Sequence, residues 1–172
     1  GELKKILESQ KWINQVISYD DEVPDCDYYT YLLSIPKVLE WNPKMDTQTH
    51  PYLEIDKENF SEILPDKKNI GYLLAPDMNS STAKQTAIPE KDISSLIDTK
   101  NINFINLSEI KDIDVLAGII QNLDLVMCVE SDLAYLAGSL NIPTFLILSV
   151  VPKHLWDLSY KSTSPWYPSL EL

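Results

Sequence analysis

From residue 57 onward the chain alternates two kinds of hydrophobic pattern. Ile70–Ala75 (IGYLLA), Ile102–Leu107 (INFINL), Leu125–Val129 (LVMCV) and Thr144–Leu148 (TFLIL) are near-continuous apolar runs of strand length, the pattern of strands covered on both faces. Between them, Pro89–Ile97, Val115–Asn122 and Ser131–Leu140 carry apolar residues at helical spacing, with Leu133, Leu136, Ala137 and Leu140 on one face. Strand alternating with helix predicts βαβ units with right-handed crossovers. The expected fold over residues 57–172 is therefore α/β: a Rossmann-like parallel sheet with helices on both faces.

Upstream the pattern is less regular. Leu3, Ile6, Leu7 and Ile13 predict a helix within residues 2–13, and Val16–Ser18 a short strand. An acidic turn, Asp20–Asp25, precedes the β-favouring run Tyr28–Leu33, which Pro36 ends. Residues 42–56 combine two prolines with short polar side chains and no period, as linkers do. The chain opens on Gly1 rather than Met, and further sequence is expected before it.

Composition narrows the partners. At 172 residues and 44% hydrophobic content the chain is long enough for one full core plus an attachment. The formal charge is −12 and the cations are all lysine. Nucleic acid is excluded as a partner, because duplex binding is driven by basic residues, and the bidentate arginine fork for phosphate is missing. The longest apolar run, Ile142–Val151, is about half of what a bilayer-spanning helix needs, so no membrane span is expected. Cys26 and Cys128 are far apart, and with His50 and His154 they show no metal-ligand spacing. Cys128 is expected to be buried packing, and the chain to be cytoplasmic.

In open parallel sheets, ligands bind beyond the carboxyl ends of the strands. That rule selects Pro76–Ile88, Ser108–Asp114 and Glu130–Asp132. The last directly precedes an apolar helix. Ser131 or Asp132 can cap it, or the N–H groups of Asp132 and Leu133 can receive a diphosphate oxygen. The first loop holds Asn79, Ser80, Ser81, Thr82, Lys84 and Thr86, suited to phosphate or sugar hydroxyls and equally to a solvated loop. It contains no glycine, which excludes a Walker-type or dinucleotide-type cradle. Asp112 and Asp114 read as a helix start. The tail Ser164–Pro168 is either a binding wall or an aromatic clasp at the domain edge. These loops assemble no Ser/His/Asp or Cys/His set, and no catalytic residue is assigned.

The segments Asn122–Val126, Leu136–Leu140 with Pro143, and Ser164–Ser169 (SPWYPS) together resemble the C-terminal domain of glycosyltransferase family 9, especially the heptosyltransferase-like domains that follow tetratricopeptide repeats in bacteria. The resemblance runs from about Tyr28 to the end of the chain. It implies a GT-B architecture, with residues 1–41 as the end of the N-terminal domain, 42–56 as linker and 57–172 as the domain holding a nucleotide-diphosphate sugar. The family motif Asp-Thr-x-x-x-His falls on Glu130, Ser131 and Tyr135, and the family's His or Arg after the first strand corresponds to Lys84. The implied donor site comprises Asn79, Lys84, Thr86, Ser108, Glu130, Ser131, Asp132, Leu133 and Tyr135, with no metal and no cofactor beyond the substrate. The family's catalytic base belongs to the N-terminal domain, so the fragment is expected to bind donor without transferring it. The implied partners are that domain and a second copy paired through an edge at Tyr28–Leu33. The alternative, motivated by Tyr135, Asp132 and the absence of arginine, is a degenerate fold kept as a binding or scaffolding module.

Overall fold

A computed structural model describes residues 3–41, 51–55, 58, 60–75, 87–89, 91–92, 100–149, 152, 156, 162–164 and 166–172. Its elements are α1 (Lys4–Glu8), α2 (Ile35–Val38), β1 (Lys68–Leu73), β2 (Ile102–Asn106), α3 (Ile113–Gln121), β3 (Leu125–Val129), α4 (Asp132–Ser139), β4 (Thr144–Ile147) and β5 (Leu170–Glu171). Short 3₁₀ turns lie at Leu32–Ser34 and Leu107–Glu109. The strands form one sheet in the order β2-β1-β3-β4-β5. Every neighbouring pair is parallel. This is a Rossmann-like α/β fold.

Chain direction decides which face each crossover covers. The steps β2 to β3 and β3 to β4 travel the same way across the sheet, so right-handed connections put α3 and α4 on one face. There Ala117, Ile119 and Ile120 of α3 and Leu133, Ala134, Leu136 and Ala137 of α4 pack over Val126, Cys128 and Leu146. The step β1 to β2 runs the other way. Ile88 accordingly joins Tyr72, Leu74, Phe104 and Met127 on the opposite face. The helix expected over residues 89–97 lies mostly outside the described residues, and α3 and α4 both cover the first face.

The helix ends follow local chemistry. Asp112 Oδ1 accepts from the N–H groups of Asp114 (2.9 Å) and Val115 (3.2 Å), which caps α3 as its sequence suggests. Beyond α4, Asn141 adopts φ 57°. Asn141 N–H then bonds Gly138 O, and Ile142 N–H bonds Ala137 O. This paired closure satisfies the last carbonyls and turns the chain into Pro143 and β4.

At the amino edge of the sheet, Asn69 is buried and joins three segments. Its side chain donates to Leu64 O (3.0 Å) and accepts from Leu64 N–H and from Asn103 Nδ2, both at 2.9 Å. Its backbone N–H donates to Asp124 Oδ2 (2.8 Å). Asp124 also pairs with Lys68 at 2.6 Å. The Lys68 hydrogen bond, followed by the Asn69 N–H, lowers the Asp124 carboxyl below its ordinary range.

The N-terminal segment corrects three expectations. α1 spans only Lys4–Glu8, although Ile6 is buried in the main core. Val16–Ser18 is irregular, and Tyr28–Leu33 is irregular up to the 3₁₀ turn at Leu32. Among the described residues neither run pairs with a strand, and β preference is mostly the packing of a side chain against sheet neighbours. The strand edge expected to pair a second copy is therefore not formed. The described part of the expected linker, 51–55, is docked: Tyr52 and Leu53 N–H both bond Ser139 O at 3.2 Å. Leu53 and Ile55 pack against the core.

Candidate functional site at the end of strand β3

The strand order reverses between β1 and β3, since the chain leaves β1 for β2 on one side and later returns to β3 on the other. The crevice at such a switch point is where open α/β sheets bind ligands. β3 enters it through Glu130 and Ser131, which lead into α4.

Ser131 occupies the N-cap position in a fully extended conformation (φ −160°, ψ 171°) and makes no side-chain cap bond. Its hydroxyl turns back and donates to Val129 O at 3.0 Å. The capping role expected of its side chain is not fulfilled, because the hydroxyl is engaged by the strand carbonyl instead of the helix N–H groups. Ser131 O accepts from Ala134 N–H at 3.1 Å. The first helical N–H groups, those of Asp132 and Leu133, thus receive no side-chain cap from Ser131. Asp132 is exposed in this first turn and Leu133 is buried in the core. Asp132 favours the helix dipole by its own charge and competes with any incoming anion for it.

Glu130 is half-buried and held at both oxygens. Oε1 accepts from Trp156 Nε1 at 2.8 Å, and Oε2 accepts from Ser149 Oγ at 3.4 Å. Trp156 is completely buried, so its indole N–H needs an acceptor. Tyr135 lies parallel to the Trp156 ring, with centroids 5.2 Å apart and planes at 8°. Burial raises the Tyr135 phenol above its ordinary value, and the charges of Glu130 and Asp132 add to the effect. Tyr135 therefore carries a neutral phenol on an aromatic floor.

The floor extends into the C-terminal tail. The Tyr167 ring lies 6.3 Å from both Tyr135 and Trp156, and 6.2 Å from Tyr52. Burial and a hydrogen bond with Tyr52 raise the Tyr167 phenol, while a bond with Ser139 opposes them. Trp166 stacks on Trp41 at 4.2 Å. Trp166 and Tyr167 of the tail thus form a clasp that joins α4 to the N-terminal segment and the 51–55 strap.

Of the expected site residues, Glu130, Ser131, Asp132, Leu133 and Tyr135 come together on one strand-to-helix turn. Ser108 does not join them. It follows β2, with β1 between it and β3, and its N–H and hydroxyl both bond Asn106 Oδ1, at 3.1 and 2.8 Å. Asn79, Lys84 and Thr86 lie outside the described residues. Trp156 and Ser149 were not anticipated. Their only sequence signal is a tryptophan in the segment after β4. Cys128 is fully buried, as expected, and burial pushes its thiol up to about 12. No metal-binding group of His, Cys, Asp and Glu occurs among the described residues. No helix among them is long and apolar enough to cross a membrane. Comparison of the chain with protein-family models, curated proteins and solved structures finds no match.

Proposed function

We propose that the domain binds a nucleotide-diphosphate sugar at the β1/β3 switch point, as the donor-binding half of an inverting glycosyltransferase. The activity proposed for these residues is binding, with transfer requiring a second Rossmann-like domain facing the crevice. One observation carries the reading: the Ser131 hydroxyl is spent on Val129 O, so the helix mouth offers the uncapped N–H groups of Asp132 and Leu133 to an anion. Lys84, Asn79 and Thr86, from the loop after β1, complete the site in this reading. The substrate needs no metal there, and a nucleotide sugar donor fits a cytoplasmic protein.

A second reading is favoured by Glu130. Both of its oxygens are engaged by protein groups, and with Asp132 it places two carboxylates at the helix mouth. That arrangement suits a fold kept as a binding or scaffolding module. Titrating the ¹⁵N-labelled chain with UDP-, ADP- and GDP-sugars separates the two. Donor binding shifts the amides of Ser131, Asp132 and Leu133 with at least one sugar; Lys84→Ala weakens the response, while Ser131→Ala, whose hydroxyl is spent on Val129 O, leaves it nearly unchanged. Silence from all three at millimolar ligand rejects donor binding and leaves the module. Ser131→Ala is a clean variant, because it lacks the usual cap loss of about 1 kcal/mol.

A further inference from the structure

We propose that the groove between the chain leaving α1 and the 51–54 strap binds a neutral carbohydrate ring. It is an open groove of about 500 Å³, and its described lining is Gln10, Lys11, Trp12, Pro51, Tyr52 and Glu54. This surface is separate from the donor crevice. The strap is anchored to Ser139 at the last residue of α4, whereas Ser131 precedes its first, and eight helical residues span about 12 Å.

The groove is preformed. Gln10 is 3% exposed. Its Nε2 donates to Ile6 O at 2.6 Å and Glu54 O at 3.1 Å, and its Oε1 accepts from Glu54 N–H at 2.9 Å. Trp12 is 65% exposed but fixed, because Nε1 donates to Tyr52 O at 3.2 Å. Its one polar group is spent on the backbone, so what it presents is a flat apolar face of set orientation. The rim supplies both hydrogen-bonding signs, through Lys11 Nζ and Glu54 Oε2 at 3.8 Å with both side chains well exposed. Such a pair adds little stability, so it can open at small cost and divide its donors and acceptors among hydroxyls.

These features select the ligand class. The rim is neutral within a chain of charge −12, which disfavours an anion. A pyranose offers an apolar C–H face for the indole and a circumference of hydroxyls that donate and accept. A few polar groups around an apolar platform are what fix such a ligand's orientation.

The test uses the ¹⁵N-labelled intact chain titrated with maltose, cellobiose and N,N′-diacetylchitobiose, following the Trp12 indole N–H assigned with Trp12→Phe. At least one disaccharide is expected to give a saturable shift, with the Ser131–Leu133 amides unmoved. Trp12→Ala should weaken that binding roughly tenfold, the size of a lost aromatic contact. Should Trp12→Ala fail to fold, the Lys11→Ala/Glu54→Ala pair, altered only at exposed side chains, should weaken it instead. The proposal is overturned if no disaccharide moves Trp12 at millimolar concentration, if binding survives these variants, or if a proline-rich peptide alone shifts the indole. A nucleotide sugar that moves only the Ser131 turn leaves donor binding standing and this groove unsupported.

Discussion

Gly138 is the penultimate residue of α4, where helix preference and packing make opposite forecasts for alanine. On helix preference alone, Gly138→Ala stabilises by up to about 1 kcal/mol. The structure reverses the sign. A Cβ built there runs into Tyr167 Cδ1 and meets Cγ at 2.6 Å and Cβ at 3.0 Å. The near atoms include the root of the tyrosine side chain, so rotating the ring does not relieve the contact. The ring is also confined by Tyr52, Tyr135 and Trp156. Overpacking of this kind costs about 1–3 kcal/mol, and a clash at the base of a confined ring belongs in the upper part of that range. Subtracting the helix gain leaves a net loss of about 1–2 kcal/mol. Urea unfolding followed by far-UV circular dichroism reads this as a lower midpoint at unchanged slope. The decisive control is the Tyr167→Ala background, where Cγ and the ring are gone and only the Cβ contact at 3.0 Å remains, so that Gly138→Ala should cost far less or become neutral. That difference is the coupling energy of a double-mutant cycle. A stabilised single variant, or equal effects in the two backgrounds, would refute the claim that Tyr167 seats the tail on α4 through the glycine.

Glu130→Ala should destabilise by about 1–3 kcal/mol, because it strands the buried Trp156 indole N–H; Glu130→Gln, which retains an acceptor, should lose less in the same melt. The two thiols should separate in Ellman titration at pH 8, with exposed Cys26 reacting at once and Cys128, pushed up to about 12, only after denaturation. The Asp124 carboxyl is lowered in the folded state, so its stabilisation is present above its ordinary value of 3.8 and is lost as pH falls below it. The stability gap between the parent chain and Asp124→Asn should therefore be widest near neutral pH and close in acid. Its size is modest, since Lys68 is largely exposed.

The sheet was legible wherever burial on both faces wrote itself as unbroken apolar text. β3 fell on Leu125–Val129 as expected, and β1, β2 and β4 differed by one or two residues at their ends. β5 is only Leu170–Glu171 and has no such run to announce it. The same logic explains the false strand at Tyr28–Leu33. Its aromatic and aliphatic residues satisfy β preference, yet Tyr29 is 90% and Leu33 is 94% exposed. Without a neighbouring strand, the composition had nothing to act on. At the site, the turn Glu130–Tyr135 was readable because its chemistry is local in sequence. The hydroxyl direction of Ser131 was not, since an N-cap residue can bond forward to the helix or back to the strand. Trp156 and Ser149 were hidden for another reason. They reach Glu130 across 26 and 19 residues, and only the β4 crossover brings them there.

The two functional readings meet at that carboxylate, and its two bonds are unequal. The Trp156 bond is 2.8 Å long to a completely buried indole, whereas the Ser149 bond is 3.4 Å. Breaking the first strands a buried donor, while Ser149 can exchange its bond for one to water or ligand. If a sugar or ribose hydroxyl competes for Glu130, the Ser149 bond at Oε2 is the one of these two expected to yield, with Oε1 kept on Trp156. On that arithmetic, the structural role of Glu130 does not remove it from donor recognition. Asp132 is the harder obstacle, because an exposed carboxylate in the first turn of α4 repels the diphosphate from the dipole that attracts it. Asp132→Asn thus discriminates more sharply than any change at Glu130. In a donor-binding domain it should tighten a nucleotide sugar and leave the neutral-sugar groove unaffected, and in a scaffolding module it should create no response where there was none.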